Sequence, residues 1–118
     1  MLSQKYRFHS RGGIRYVYNN GRSIRGSRMA LTYIKGTNRK HSRFSVIISK
    51  KVLKSAVGRN RIRRRVYESI RLNLERLSSP NDVLVTIYDS SFRDSPYNDV
   101  TSCINKLLKE ASLYKERP

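Results

Sequence analysis

The most regular hydrophobic pattern lies in the second half of the chain. Its apolar residues recur at spacings of four, four, four and three: Ile62, Val66, Ile70, Leu74 and Leu77. This spacing is typical of one face of an α-helix. We therefore predict a helix from about Gly58 to Leu77. The polar run Ser78-Ser79-Pro80-Asn81 supplies its end.

Two more elements are predicted after this helix. The run "DVLVTIYD", residues 82–89, is apolar almost throughout and has the length of a strand. A strand of this kind is typical of a sheet centre that is covered on both faces. Apolar residues then return at helical spacing, which predicts a final helix from about Tyr97 to Tyr114. These residues are Val100, Ile104, Leu107, Leu108 and Ala111.

The first half of the chain predicts one short helix followed by strands. Ile14, Val17 and Tyr18 precede the stop signal Asn-Asn-Gly, which indicates a helix from about Gly12 to Asn20. The segments "RMALTYI" (28–34) and "RFSVIIS" (43–49) alternate between apolar and polar residues, and a polar connection separates them. We interpret them as an antiparallel hairpin, with a weaker strand around 23–26 before it.

The order of these elements is helix, strands, helix, strand, helix. It predicts an α+β fold, a two-layer sandwich in which helices pack on a sheet of three or four strands. A chain of 118 residues is long enough for one compact core. We expect a single domain over residues 1–118.

Charge changes the picture, because it is strongly positive and unevenly distributed. The net charge is +18, and all eight acidic residues lie after residue 67. Residues 1–67 carry +19, whereas residues 68–118 have seven basic and eight acidic side chains, a net charge of −1. A surface of one sign repels itself unless it meets a polyanion, so we predict a nucleic-acid partner.

A membrane partner is disfavoured by the same sequence. No run approaches the roughly 18 apolar residues that a membrane span requires, and no basic helix carries a broad apolar face suited to a lipid surface. The N-terminal residues "MLSQKYRFHS" lack the apolar centre of a secretory signal. We therefore expect no membrane association and a cytoplasmic location.

The basic residues are densest in "AVGRNRIRRRVYESI", residues 56–70, at the start of the long predicted helix. Helical geometry places Arg61, Arg64 and Arg71 opposite the apolar stripe, with Arg65 beside them and Arg63 at the apolar edge. The free backbone N–H groups of a helix start already favour a phosphate. Arginine can add two parallel hydrogen bonds to it. This face is predicted to contact nucleic-acid phosphates.

Candidate catalytic residues are scarce. A nuclease active site made of protein side chains needs carboxylates for metal ions or a placed acid and base, and the basic half has no acidic residue. His9 and His41 lie in polar segments, where a surface position is favoured over catalysis. Cys103 lies within a helical pattern and is interpreted as a small buried residue. We predict no catalytic side chain and no protein metal site.

The segment "SKKVLKSAVGRNRIRRRVYE", residues 49–68, resembles the signature of the protein subunit of bacterial ribonuclease P. The similarity comprises a Ser-Lys-Lys turn, an Ala-Val pair, and Arg-Asn-Arg followed by a basic pair at Arg63 and Arg64. The segment "RGGIRYVYNNG" also lies where that family has its first helix. There are two departures from the family pattern, at three positions. The family usually has aromatic residues, often Phe, where this chain has Ile14 and Tyr18, and often a further basic residue where it has Tyr67.

This resemblance implies a role in RNA processing in which RNA is the catalyst. In that family a catalytic RNA subunit uses Mg²⁺ to remove the 5′ leader of precursor tRNA, and the protein assists. It also implies a left-handed crossover between parallel strands, which the usual handedness rule does not predict. The implied contacts to catalytic RNA are Lys50, Lys51, Arg59, Asn60, Arg61, Arg63, Arg64 and Arg65. The implied leader cleft is lined by Ile14, Tyr18, Ala30 and Thr32.

The residues themselves leave alternatives open. Tyr18 and Ile14 either contact unpaired bases or belong to the core of the first helix. Ala30 and Thr32 lie on the strand face opposite Leu31, where small side chains could form a cleft floor. A structural RNA-binding protein of the ribosomal type has a similar composition, whereas a DNA-binding module is disfavoured by the lack of a helix-turn-helix spacing or zinc ligand set. The oligomeric state is left open.

Overall fold

The computed structural model describes residues 2–8, 10–78 and 80–115. Its centre is a sheet of four strands, β1 (Arg22–Arg25), β2 (Met29–Lys35), β3 (Arg43–Ile48) and β4 (Asn81–Ile87). The strand order is β1-β2-β4-β3. Strand β4 is central and buried along most of its length, as its continuous apolar run predicts. The predicted α+β fold, with helices on a sheet of three or four strands, is confirmed.

The predicted hairpin of the second and third strands is wrong. Strand β4 lies between them, antiparallel to β2 and parallel to β3, so that Val85 is opposite both Leu31 and Val46. Alternation fixes which face of a strand is buried but not which strand is its neighbour. Strand β4, which is apolar almost throughout, takes an inner position, where both of its faces are covered. A helical crossover connects the parallel pair, and its left hand stays a prediction.

Three helices accompany the sheet: α1 (Arg11–Asn20), α2 (Ala56–Asn73) and α3 (Tyr97–Glu110). Helix α2 begins two residues earlier than predicted because the Ser55 hydroxyl accepts a hydrogen bond from the Gly58 amide at 3.0 Å and caps it. It ends at Asn73, and a tighter helical turn, Leu74–Arg76, follows. Helix α3 ends at Glu110, four residues before the predicted end, in a turn where Ser112 has φ of 57°.

The helices cover the two faces of the sheet unequally. The main core lies between one face and helices α2 and α3, where Leu31, Val46 and Ile62 are buried. Helix α1 lies on the opposite face, where Val17 packs with Phe8 and Leu84. The ten-residue helix covers only part of this face, where Ser23 is exposed and Thr86 is partly buried. Over the described residues, no helix is long and apolar enough to cross a membrane.

Candidate nucleic-acid interface

Helix α2 presents a basic surface on the side away from the sheet. Ile62, Val66 and Ile70 are buried against the core, whereas Arg61 and Arg64 are exposed. The structure thus places these two guanidinium groups where the helical wheel predicts them. The Arg64 guanidinium is accessible to a phosphate, and about half of the Arg61 side chain is exposed as well.

Two other arginines of this helix have structural contacts. Arg59 is half-buried and its Nη1 donates hydrogen bonds to the carbonyl oxygens of Leu53 and Lys54 at 2.9 and 2.8 Å. Arg65, also half-buried, donates to the carbonyl oxygens of Phe92 and Ser95. These bonds tie both guanidinium groups to neighbouring backbone, so Arg65 is not fully directed to solvent as the helical wheel predicts. The RNA contacts predicted for Arg59 and Arg65 stay predictions. A guanidinium has five N–H donors, and here several satisfy carbonyls at loop ends.

Three further side chains combine a hydrogen bond within the protein with an exposed outer surface: Asn60, Arg61 and Arg63. Arg61 Nε donates to the Arg93 carbonyl at 2.7 Å, although half of its side chain is exposed. Arg63 is half-buried, and its Nη1 donates to Asn60 Oδ1 at 2.9 Å. These bonds hold the side chains in defined positions without covering their outer surface. Fixed donors lose less conformational freedom when they bind a phosphate.

A basic turn precedes helix α2. Lys50 and Lys51 are exposed in the turn after β3, where the Ser49 carbonyl accepts from the amides of Val52 and Leu53 at 3.1 and 3.2 Å. Helix α2 then begins at Ala56, and the backbone N–H groups of its first residues have no partner within the helix. The side chain of Val57 is exposed at this helix start. The described geometry thus puts the lysines, the helix start and Arg64 on consecutive parts of one basic segment.

A second candidate surface lies beside helix α1. Tyr18 is 66% exposed, which removes it from the core, whereas Ile14 is half-buried against the cluster around Val17. Ala30 and Thr32 are buried on the sheet face that α1 covers. The Thr32 hydroxyl lies 3.0 Å from that of Ser23. The structure therefore leaves the Tyr18 ring exposed, whereas Ala30 and Thr32 are almost fully covered.

The structure adds basic residues that the sequence pattern does not single out. The Arg7 guanidinium lies 5.5 Å from the ring centroid of Tyr67, the position at which the resembling family often has a basic residue. Burial raises the pKa of Tyr67 above its ordinary value, so this ring stays neutral. Arg25, exposed on β1, is in register with Ala30. The segment containing Arg7 has no helical or strand period, so only tertiary structure reveals this proximity.

Two acidic side chains beside the sheet, Asp82 and Asp89, are held by arginines. Asp82 accepts two hydrogen bonds from Arg43 at 3.1 and 3.0 Å, and Asp89 accepts one from Arg28 at 2.7 Å. Within residues 2–8, 10–78 and 80–115, no three His, Cys, Asp or Glu side chains are placed to hold one metal ion. This part of the protein therefore offers no multidentate site for a resident cation.

The isolated histidines and the cysteine have ordinary surroundings. His41 is exposed, with its ring 5.4 Å from that of Tyr6 in an edge-on arrangement. His9 lies outside the described residues. Cys103 is partly buried against the core, as its place in the helical pattern predicts. None of the described groups forms a nucleophile and base pair.

Comparison with known proteins gives a consistent family relationship. The sequence profile of the family described as Ribonuclease P matches residues 2–112. The chain is 40% identical over 100 residues to the "Ribonuclease P protein component" of Clostridium botulinum (strain Loch Maree / Type A3), covering 85% of this chain and 88% of that protein. It is 35% identical over 111 residues to the protein of the same name from Clostridium kluyveri, covering 93% and 97%.

Two solved structures share the fold of this chain. The RNase P protein of Staphylococcus aureus superposes with a TM-score of 0.81 at 21% identity, covering 93% of this chain and 98% of that one. The RNase P protein from Thermotoga maritima gives a TM-score of 0.78 at 22% identity, with coverage of 88% and 96%. At these identities the likeness supports the α+β architecture, and the sequence relatives support the family.

Proposed function

The chain belongs to the ribonuclease P protein family, and we propose that it binds the catalytic RNA through helix α2 while holding the 5′ leader of precursor tRNA beside helix α1. The family is the protein component of a ribonucleoprotein enzyme, so an RNA subunit is its partner. Precursor tRNA is the proposed substrate. The protein then contributes assembly and substrate binding.

The observation that carries the first contact is the charge of helix α2. Arg61 and Arg64 are exposed, Lys50 and Lys51 precede them, and the first acidic residue along the chain is Glu68. Condensed counterions leave RNA when such cations bind, which favours association with a folded RNA. Asn60 and Arg63 complete the proposed contact. Arg59 and Arg65 support it by fixing the ends of the neighbouring loops.

The proposed leader contact uses the exposed ring of Tyr18. An unpaired base can stack on this ring, because every base has a flat apolar face. Ile14 supports α1 from beneath, and Ala30 and Thr32 provide a floor without bulky side chains. The basic Arg25 lies on the adjacent strand, where it can attract the leader backbone.

Strand scission is assigned to the RNA subunit with Mg²⁺, which is bound mainly by that RNA. Among the described residues, no three His, Cys, Asp or Glu side chains are placed to hold one Mg²⁺ ion, and Asp82 and Asp89 are engaged by arginines. The protein's own residues therefore act by binding and orientation. A holoenzyme built from the purified chain and catalytic RNA is expected to cleave precursor tRNA, and the purified protein alone is expected not to cleave it.

The experiment that tests the function is identification of the RNA that stays bound through a high-salt wash. A single structured RNA that cleaves precursor tRNA with the protein is the expected result. Recovery of ribosomal RNA, with no stimulation of cleavage, would favour the structural RNA-binding alternative. Efficient cleavage by nuclease-free protein without RNA would contradict the division of roles.

A further inference from the structure

A second groove lies on the flank of helix α1 opposite Tyr18. Val17 faces the sheet, and helical geometry places Tyr18 on one side of it and Tyr16 on the other. Tyr16 is 62% exposed. Its side chain lines an open groove of about 560 Å³ with Ile34 of β2 and the connection from Gly36 to Arg39. Helix α1 thus carries an exposed aromatic ring on each flank.

The groove continues past the C-terminal end of α1. Asn20, Arg22 and Lys35 line an adjoining space of about 350 Å³, and Ile34 contributes to both spaces. Ligand pockets in proteins commonly measure about 300–1,000 Å³, so each space is large enough for part of a nucleotide chain. The two together form a path along one side of the helix.

Charge in this groove favours an anion. Arg22, Lys35 and Arg39 are exposed along it. Of the described residues that line it, Asp82 is the acidic one, and its side chain is only 5% exposed. Arg43 engages both carboxylate oxygens, whereas Arg39 approaches only to 3.7 Å. The buried carboxylate is already neutralised, so the outward charge is positive.

The groove is preformed by hydrogen bonds of its own loop. The Gly36 amide donates to Asn81 Oδ1 at 3.1 Å, and the Thr37 amide donates to the Pro80 carbonyl at 3.0 Å. Gly36 adopts φ of 64°, and a Cβ at this position would meet no atom within 4 Å. The absence of a side chain there leaves open space near Tyr16. A fixed groove loses little conformational entropy when it is filled.

The outer surface of α1 connects the two rings. Arg11, Arg15 and Asn19 are exposed, and no acidic residue occurs in the helix. A helix with its side chains is about 10–12 Å across, a distance that a few nucleotides of single strand can span. Phosphates crossing this ridge would meet Arg15 and Arg11 between one ring and the other.

We propose that the 5′ leader crosses helix α1 and that a base nearer its 5′ end stacks on Tyr16, with flanking phosphates beside Arg39 and Lys35. This rests on the proposed binding of the leader at Tyr18. The strand continues in the 5′ direction because its 3′ end is joined to the tRNA. The contribution of Tyr16 to binding would then depend on the length of the leader, whereas that of Tyr18 depends only on its presence.

Leader length is the variable that tests this site. Holoenzyme reconstituted with the catalytic RNA is measured with mature tRNA, with precursor carrying a leader just long enough to reach Tyr18, and with precursor extended by several nucleotides. Tyr16→Ala is expected to weaken binding of the extended precursor by about 5- to 150-fold, the range for loss of one stacked base. Binding of the short precursor should be unchanged. Tyr16→Phe keeps the aromatic face and should restore most of the affinity.

A second readout places the base directly. A fluorescent purine at successive leader positions should be quenched at one position beyond the short leader, and Tyr16→Ala should remove that quenching. If Tyr16→Ala weakens binding of all three RNAs equally, Tyr16 contacts the catalytic RNA or supports folding, and the proposal is wrong. It is also wrong if Tyr16→Ala leaves the affinity for the extended precursor unchanged. Tyr18→Ala measured in parallel separates the cases. If only Tyr18→Ala causes a leader-dependent loss of affinity, the second site at Tyr16 alone is rejected. If neither variant causes such a loss, the proposed cleft at Tyr18 is rejected as well.

Discussion

The Arg65 guanidinium donates a hydrogen bond to the backbone carbonyl of Phe92. This bond ties helix α2 to the helical turn Ser90–Arg93 that follows β4. Arg64, the adjacent residue, is exposed. Neighbouring residues of identical chemistry therefore have different environments, and their substitutions should have different consequences.

Arg64→Ala and Arg65→Ala are expected to separate RNA binding from stability. Arg64→Ala should lower the salt slope of catalytic RNA binding by about one unit or slightly less, with the free energy of unfolding almost unchanged. Arg65→Ala should cost about 1–3 kcal/mol of stability, because it leaves two carbonyls without their charged donor. Salt-dependent binding and urea unfolding measure the two effects. Lys109→Ala, which removes an exposed charge from α3, is the control and should change neither strongly.

The reverse pattern would contradict this division. If Arg64→Ala unfolds the protein while leaving the salt slope intact, the exposed arginine is structural. If Arg65→Ala lowers the slope without loss of stability, its guanidinium contacts RNA rather than the Phe92 and Ser95 carbonyls.

Asp89 should make folding sensitive to acid. Hydrogen bonds from Ser91 and from Arg28 hold the pKa of this carboxyl below its ordinary value of 3.8. The ionised form therefore stabilises the fold above the unfolded-state pKa, and this contribution is lost as pH falls through the lower folded-state pKa. Asp89→Asn should cost about 1 kcal/mol at neutral pH, a difference that narrows in acid. Urea unfolding across this pH range measures it.

Asp94→Asn is the matched control for that experiment. Its side chain is 78% exposed and lies 3.7 Å from Arg61 and 3.9 Å from Arg93. Ion pairs of this kind contribute little, so the variant should follow the original protein at each pH. If the free energies of unfolding of Asp89→Asn and the original protein differ by the same amount from neutral to acidic pH, the carboxylate charge is not the cause of the destabilisation.

Gly21 fixes the approach of α1 to the sheet. A Cβ here would lie 2.6 Å from the Val17 carbonyl oxygen and 2.9 Å from that of Tyr33, both backbone atoms that cannot rotate away. Gly21→Ala should therefore destabilise the fold by about 1–3 kcal/mol. Gly12→Ala, in the first turn of α1 with no atom within 4 Å of the new Cβ, should be neutral or stabilising. Thermal unfolding measures the stability of the two variants. Equal changes in both would show that the close approach of Gly21 to the neighbouring backbone does not limit the side chain at this position.

The sequence predicts the elements better than their arrangement. The apolar period of α2 and the continuous run of β4 identify a helix and a central strand because burial follows local spacing. Strand pairing is not local. Nothing in the alternation of β2 and β3 shows that β4, some forty residues further along, lies between them.

The candidate site shows the same limit. A helical wheel correctly places Arg64 on the outer side of α2, but it cannot show that Arg65 meets carbonyls from a loop distant in sequence. It also cannot place Arg7 over Tyr67. The functional contribution of a basic residue depends on which donors the fold has already used, and that depends on tertiary structure.

His41→Ala is expected to leave the chemical step unchanged. The side chain is exposed and its ring lies edge-on to that of Tyr6, a contact that does not orient an imidazole as a base. Single-turnover cleavage by saturating holoenzyme should give the same rate and the same pH profile. A loss of about 10²- to 10⁴-fold, the usual contribution of a general acid or base, would place protein chemistry in the reaction.

Tyr18→Ala should reduce binding of precursor tRNA and leave mature tRNA unaffected. Tyr18 is exposed on α1, so its loss removes a stacking surface and little core packing. Stacking of one base is worth about 1–3 kcal/mol, which should appear only when a leader is present. The affinities of both RNAs for both holoenzymes give a difference of differences, and a melting curve checks folding. Tyr18→Phe keeps the ring and should behave as the original. Equal losses with both RNAs, or unfolding without leader dependence, would restrict α1 to a structural role, because the exposed ring would then have no substrate to recognise.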